Sequence, residues 1–157
     1  MSFIDDIKIK ASLQKKTIVL PEGNEPRTIK AAYMTVSKKT ADIVLLGNKD
    51  EIVRKADEIN VNLSGIRILD PVFSEKRDFY ANSLYEMRKH KGVTVEKAHE
   101  LVKDTIYYGM MMVKHGEADG LVAGAVHSSG DTILPALQII KTAPGTNIVS
   151  AYFIMVL

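Results

Sequence analysis

The 157-residue chain contains no cysteine. That excludes disulfides and thiolate catalysis, and a cytoplasmic protein is expected. No apolar run approaches the length that crosses a membrane. The acidic opening Met1-Ser2-Phe3-Ile4-Asp5-Asp6 lacks the apolar stretch of a signal peptide. Net charge is small: 21 Lys and Arg stand against 19 Asp and Glu, a formal +2, which gives no argument for nucleic acid. No internal repeat and no low-complexity segment occurs. No G-x-G-x-x-G follows Leu20 and no Walker-type lysine is present, which argues against a nucleotide-binding Rossmann domain. His90, His99 and His115 show no metal-ligand spacing, so no metal is expected.

What is present is an ordinary globular composition, 46% hydrophobic and 25% charged, in a length that can bury a real core. The charge divides unevenly. From Asp104 onward only Lys114 and Lys141 face Asp104, Glu117, Asp119 and Asp131, so the basic excess lies before them, scattered as on a solvated surface.

Periodicity predicts a repeating order of elements. Phe3 to Leu13 reads as an amphipathic helix with Ser2 and Asp5 as capping pair. Thr17–Leu20, Ala41–Leu46 and Ile66–Leu69 read as strands. Between them lie helices over Thr28–Lys38, with Ile29, Ala32, Tyr33 and Val36 inward, and Lys49–Asn60, with Ile52, Val53, Ala56 and Ile59 inward. A long helix over Ser74–His90 carries Phe79, Leu84 and Met87 among its apolar positions and ends in the basic knot Arg88-Lys89-His90-Lys91. Helices over Thr94–Val102 and Asp104–His115 follow, capped by Thr94 and Asp104; the Tyr107, Met110, Met111, Val113 run is core packing. Strands joined through helices imply an α/β fold with a mainly parallel sheet and helices on both faces, a three-layer αβα sandwich. Ligands in such folds sit beyond the carboxyl ends of the strands. The turns at Pro21–Arg27, Asp70–Phe73 and Val126–Asp131 lie there and should converge.

The rest is organised around Leu121–Thr142. Gly120–Val126 reads as a buried strand, His127-Ser128-Ser129-Gly130-Asp131 as a polar turn, and Thr132–Lys141 as a helix with Ile133, Ala136, Leu137 and Ile140 at helical spacing. A Ser/Gly turn into a helix puts free backbone N–H groups and hydroxyls at a helix N-terminus, an anion site suited to phosphate. The plainer alternative is that Ser129 or Asp131 simply caps the helix. His127 is either a proton carrier or a hydrogen-bonded structural residue at a strand end. Ile148–Leu157 is a strongly β-prone, almost uncharged run at which the chain stops. A strand of that kind left bare is a hazard, so continuation into more protein, or self-association through this strand, is expected.

These motifs together resemble one family. Pro21-Glu22-Gly23 with Arg27, Tyr85 to Gly92, Asp119 to His127, and Pro135 to Thr142 are similar, in order and spacing from about Ile18 to Leu157, to phosphate acetyltransferases (phosphotransacetylases). The resemblance implies acetyl transfer between acetyl phosphate and coenzyme A, with coenzyme A as substrate and no resident cofactor. It also implies a homodimer of two-lobed subunits about twice this length, with an isocitrate/isopropylmalate dehydrogenase-like lobe. Residues 1–143 would then be one α/β lobe and residues 144–157 the start of a second. By the same resemblance Ser128, Ser129, Gly130, Asp131 and Thr132 line the phosphate or acetyl phosphate pocket and Arg88 faces coenzyme A. Asp131 would repel phosphate, so capping or orientation is its expected part. Leu134 stands where the family usually has an arginine. The family's main catalytic Ser, Arg and Asp fall beyond Leu157, leaving His127 as the sole catalytic candidate and the chain inactive alone. A phosphate butyryltransferase-type enzyme and a non-catalytic phosphate-ligand-binding α/β module are the alternatives; no nucleic-acid or membrane partner is expected.

Overall fold

Alternating side chains on two central strands divide the core in the computed structural model, which describes residues 2–146, 148, 149 and 155. Strands β1 (Lys16–Leu20), β2 (Ala41–Leu46), β3 (Arg67–Leu69) and β4 (Gly120–Leu121) form one parallel sheet in the order β3-β2-β1-β4. Val19, Val44 and Leu46 point to one face, Leu20, Ile43 and Leu45 to the other. On the second face lie α2 (Pro26–Ser37) and α3 (Lys49–Glu58), through Ile29, Ala32, Ile52 and Ala56. On the first lie α4 (Arg77–Arg88), α5 (Val95–Leu101), α6 (Thr105–Lys114) and α7 (Ser129–Ile139), through Tyr80, Leu84, Ala98, Ile106, Met111, Met112 and Ile139. Residues buried as fully as Leu45 and Leu46, both 0% exposed, each stabilise by roughly 1.5–3 kcal/mol. No helix among the described residues is long and apolar enough to cross a membrane.

Several expectations need correction. The helix placed over Ser74–His90 begins at Arg77 and gives way to a 3-10 turn at Lys89–Lys91. Ser74 lies outside it, its hydroxyl hydrogen-bonded to the Tyr108 phenol. Phe79 is exposed, resting against the ring of His115 at 4.8 Å between centroids. In α2 and α3 the inward stripe is narrower than its periodicity suggests, with Tyr33 and Val53 outward. Helix α7 is rotated from expectation: Pro135 and Ile139 are buried, while Ile133, Leu137 and Ile140 are exposed. It packs on α6, and its apolar positions cover two sides, so sequence spacing alone could not say which side faces inward. Helix α1 (Phe3–Leu13) has its Ser2–Asp5 capping box but buries no residue. The Ile148–Leu157 strand falls mostly outside the described residues.

Candidate active site

The sheet has one topological switch point. From β1 the chain crosses through α2 to β2 and through α3 to β3 on one side, then returns to place β4 on the other side of β1. Helices leaving β1 and β4 therefore diverge, opening a crevice at the carboxyl ends of those two strands, where α/β sheets bind ligands. A cleft of about 390 Å³ there is lined by Pro21, Glu22, Asn24, Asn48, Thr105 and His127. A second, of about 260 Å³, is lined by Asp104, Tyr107, His127, Asp131, Leu134 and Pro135; His127 borders both. The turns after β1 and β4 converge as expected, joined by the Gly47-Asn48 turn after β2, which was not foreseen. The Asp70–Phe73 turn does not: β3 is the far edge strand, and its turn lines a separate hollow beside Tyr108.

One side chain shapes the crevice. Glu22, 4% exposed, sends its carboxylate beneath the loop after β4. Oε2 accepts the N–H groups of Gly124 (3.1 Å) and Ala125 (2.8 Å), and Oε1 those of Val126 and His127 (both 2.7 Å). The His127 Nδ1 lies 2.9 Å from Oε1. Arg27 adds a bond of 2.7 Å from its guanidinium to the Ala125 carbonyl. This explains why β4 ends at Leu121 instead of running to Val126. Four consecutive N–H groups turn towards a carboxylate, which a straight strand cannot do, and Gly124 supplies the required positive φ of 112°. Burial alone would raise the Glu22 pKa; the donors of His127, Val126 and Ala125 outweigh it and hold it down to about 2.

At the start of α7 the N-cap is Ser128, not Ser129. Its Oγ accepts the Asp131 N–H at 3.2 Å, and the Asp131 carboxylate receives the Ser128 N–H at 3.2 Å and hydroxyl at 2.7 Å. Those hydrogen bonds hold the Asp131 carboxyl below its usual range. The Thr132 N–H reaches the Ser128 carbonyl. Left without a protein acceptor among the described residues are the N–H groups of Ser129 and Gly130, both exposed. Capping thus occupies Ser128 and Asp131 and leaves two neighbouring N–H groups of the same turn without protein acceptors among the described residues.

Arg88 ends α4, where a cation complements the helix dipole. It is half-buried, and its Nε is fully buried without an acceptor among the described residues. Its charge reaches the Tyr107 phenol, opposing the rise in pKa that burial and then Asp104 impose. Tyr107 lines the same cleft as His127 and Asp131 and donates to Gln138 at 2.9 Å. Lys89 of the basic knot is taken up by Glu86 at 2.6 Å. Leu134 is 55% exposed on the wall of that cleft. No cluster of potential metal ligands occurs among the described residues. Sequence reasoning gave Glu22 no part; its signal was a glutamate in the turn directly after a buried strand.

A parallel α/β sheet with a switch-point crevice, bordered by His127 and the capped start of α7, defines the class of fold. The profile of the family described as "Phosphate acetyl/butaryl transferase" matches residues 2–157, and the chain belongs to that family. It is 56% identical over 155 residues to a phosphate acetyltransferase of Thermoanaerobacterium thermosaccharolyticum, covering 99% of this chain and 47% of that protein. It is 55% identical to that of Acetivibrio thermocellus, covering 99% and 46%. Among solved structures, the EutD phosphotransacetylase from Staphylococcus aureus superposes with a TM-score of 0.85 at 40% identity, over 92% of this chain and 44% of that one. A phosphotransacetylase from Streptococcus pyogenes gives 0.88 at 34%, over 94% and 46%. The chain spans about half the length of the curated relatives it matches.

Proposed function

We propose that this chain forms one lobe of an acyltransferase that moves acetyl between acetyl phosphate and coenzyme A. The carrying observation is the pair of N–H groups, on Ser129 and Gly130, that open α7 without an acceptor among the described residues. Two adjacent N–H groups at the positive end of a helix suit a phosphoryl group. The reaction must hold a departing phosphate, take a proton from a thiol and stabilise an oxyanion; Ser129 and Gly130 serve the first need. Thr132 and the Ser128–Asp131 capping box hold the turn in shape. Arg88 supplies a cation for an anionic group of coenzyme A, and its buried, unanswered Nε supports that reading. The same reading takes coenzyme A as a substrate, needs no resident cofactor, and assigns residues 1–143 to one lobe resembling those of isocitrate dehydrogenase. It makes the assembly a cytoplasmic homodimer.

Thiol activation and carbonyl polarisation belong, on this reading, to residues outside the 157, so the 157-residue chain alone is expected not to turn over acetyl phosphate. In the full-length protein, ultraviolet absorbance should report thioester formation from acetyl phosphate and coenzyme A. Faster turnover of butyryl phosphate would favour the butyryltransferase reading, which the family description also covers. Tight phosphate binding without turnover would favour a binding module and refute the transferase.

A further inference from the structure

Neither the family match nor the proposed reaction gives a part to the Glu22–His127 pair. The Glu22 side chain is 3% exposed and that of His127 31%, so a buried carboxylate holds a ring that reaches solvent. A carboxylate receiving four backbone N–H groups is ionised, and the ring nitrogen facing it must donate: the proton sits on Nδ1. In the neutral ring the lone pair is then on Nε2, which has no partner among the described residues. The ring borders both clefts, and the next residue is the N-cap of α7.

We propose that Glu22 is a positioning residue that fixes His127 with Nδ1 protonated, so that Nε2 accepts the O–H of hydrogen phosphate bound at the start of α7. This rests on the reading of that turn as a phosphate site. The Ser129 and Gly130 N–H groups can only donate, and the Asp131 carboxylate, one of whose oxygens takes both Ser128 bonds, carries a negative charge that repels phosphate. A phosphate that keeps one proton needs a neutral acceptor, and Nε2 supplies it without charge repulsion. Acetyl phosphate as a dianion has no such O–H. The pair therefore favours inorganic phosphate, the acceptor of the acetyl group when the reaction runs from acetyl-CoA.

The test is nitrogen NMR of the imidazole rings in the full-length protein, titrated with inorganic phosphate. His127 should carry its proton on Nδ1, and phosphate should move the Nε2 resonance. Glu22→Gln should shift the proton towards Nε2. It should also raise the KM for phosphate about five- to tenfold, as expected for one lost hydrogen bond, and raise the KM for acetyl phosphate less. In a His127→Ala background the same substitution should add less than about twofold. A ring protonated on Nε2 in the unsubstituted protein would overturn the inference without any variant, as would full multiplication of the two losses. Phosphate binding with Nε2 unmoved would overturn this inference alone; no phosphate binding would overturn the underlying site as well.

Discussion

Replacing Glu22 by glutamine should cost the fold about 3 kcal/mol at neutral pH. The carboxyl falls from its usual 4.5 to about 2 on folding. At about 1.4 kcal/mol per tenfold change in proton affinity, the folded state favours the ionised form by about 3 kcal/mol. The hydrogen bonds agree in scale: a glutamine offers one oxygen where the carboxylate offers two, turning an NH2 towards two N–H groups of the loop. The pH dependence has a definite sign. Because the folded pKa lies below the unfolded one, the unfolded chain binds the extra proton between about pH 4.5 and 2. The stabilisation is complete above about pH 5 and is lost as pH falls through that window; about 2 kcal/mol of it should be gone by pH 3. Urea unfolding at several pH values, comparing midpoints at constant slope, measures the difference between parent and variant. Curves that stay parallel from pH 7 to pH 3, or a neutral-pH gap below about 0.5 kcal/mol, would refute the reasoning.

Gly23→Ala should cost about 1–3 kcal/mol in the same assay, because a Cβ there would stand 2.5 Å from the Leu46 carbonyl oxygen, a backbone atom that cannot swing away. Leu134→Arg should tighten phosphate binding by about 1.5–3 kcal/mol in calorimetry, since Leu134 is exposed on the wall of the His127 and Asp131 cleft; unchanged affinity would mean the new charge does not reach the anion. Arg88→Ala in the full-length protein should raise the KM for coenzyme A more than that for acetyl phosphate. Equal effects would reduce Arg88 to its part at the end of α4.

The chain order of strands and helices was legible because a parallel sheet needs near-continuous apolar strands, and ADIVLL is one, with only Asp42 exposed. Capping residues were legible for the same local reason: Ser2, Thr94 and Asp104 each accept a bond from their own first turn. What sequence could not give was decided by contacts across the chain. Gly120–Val126 has the composition of a strand, yet Glu22, about a hundred residues away, bends its second half into a loop. Helix α7 is apolar on two sides, and only its packing on α6 chooses between them. At the site, the Ser/Gly turn announced itself, whereas Glu22 looked like one charge among many until the loop was seen to wrap around it. Arg88 stood in the basic knot, but only the structure separates it, half-buried and with its Nε lacking an acceptor among the described residues, from Lys89, which Glu86 neutralises.

The phosphate site at the start of α7 is tested most directly by following backbone amide resonances of the full-length protein through a phosphate titration. Saturable shifts centred on Ser129 and Gly130, whose N–H groups lack acceptors among the described residues, are the expected result. Unmoved Ser129 and Gly130 amides, with shifts gathered instead at another helix start such as Asn48 before α3, would contradict it.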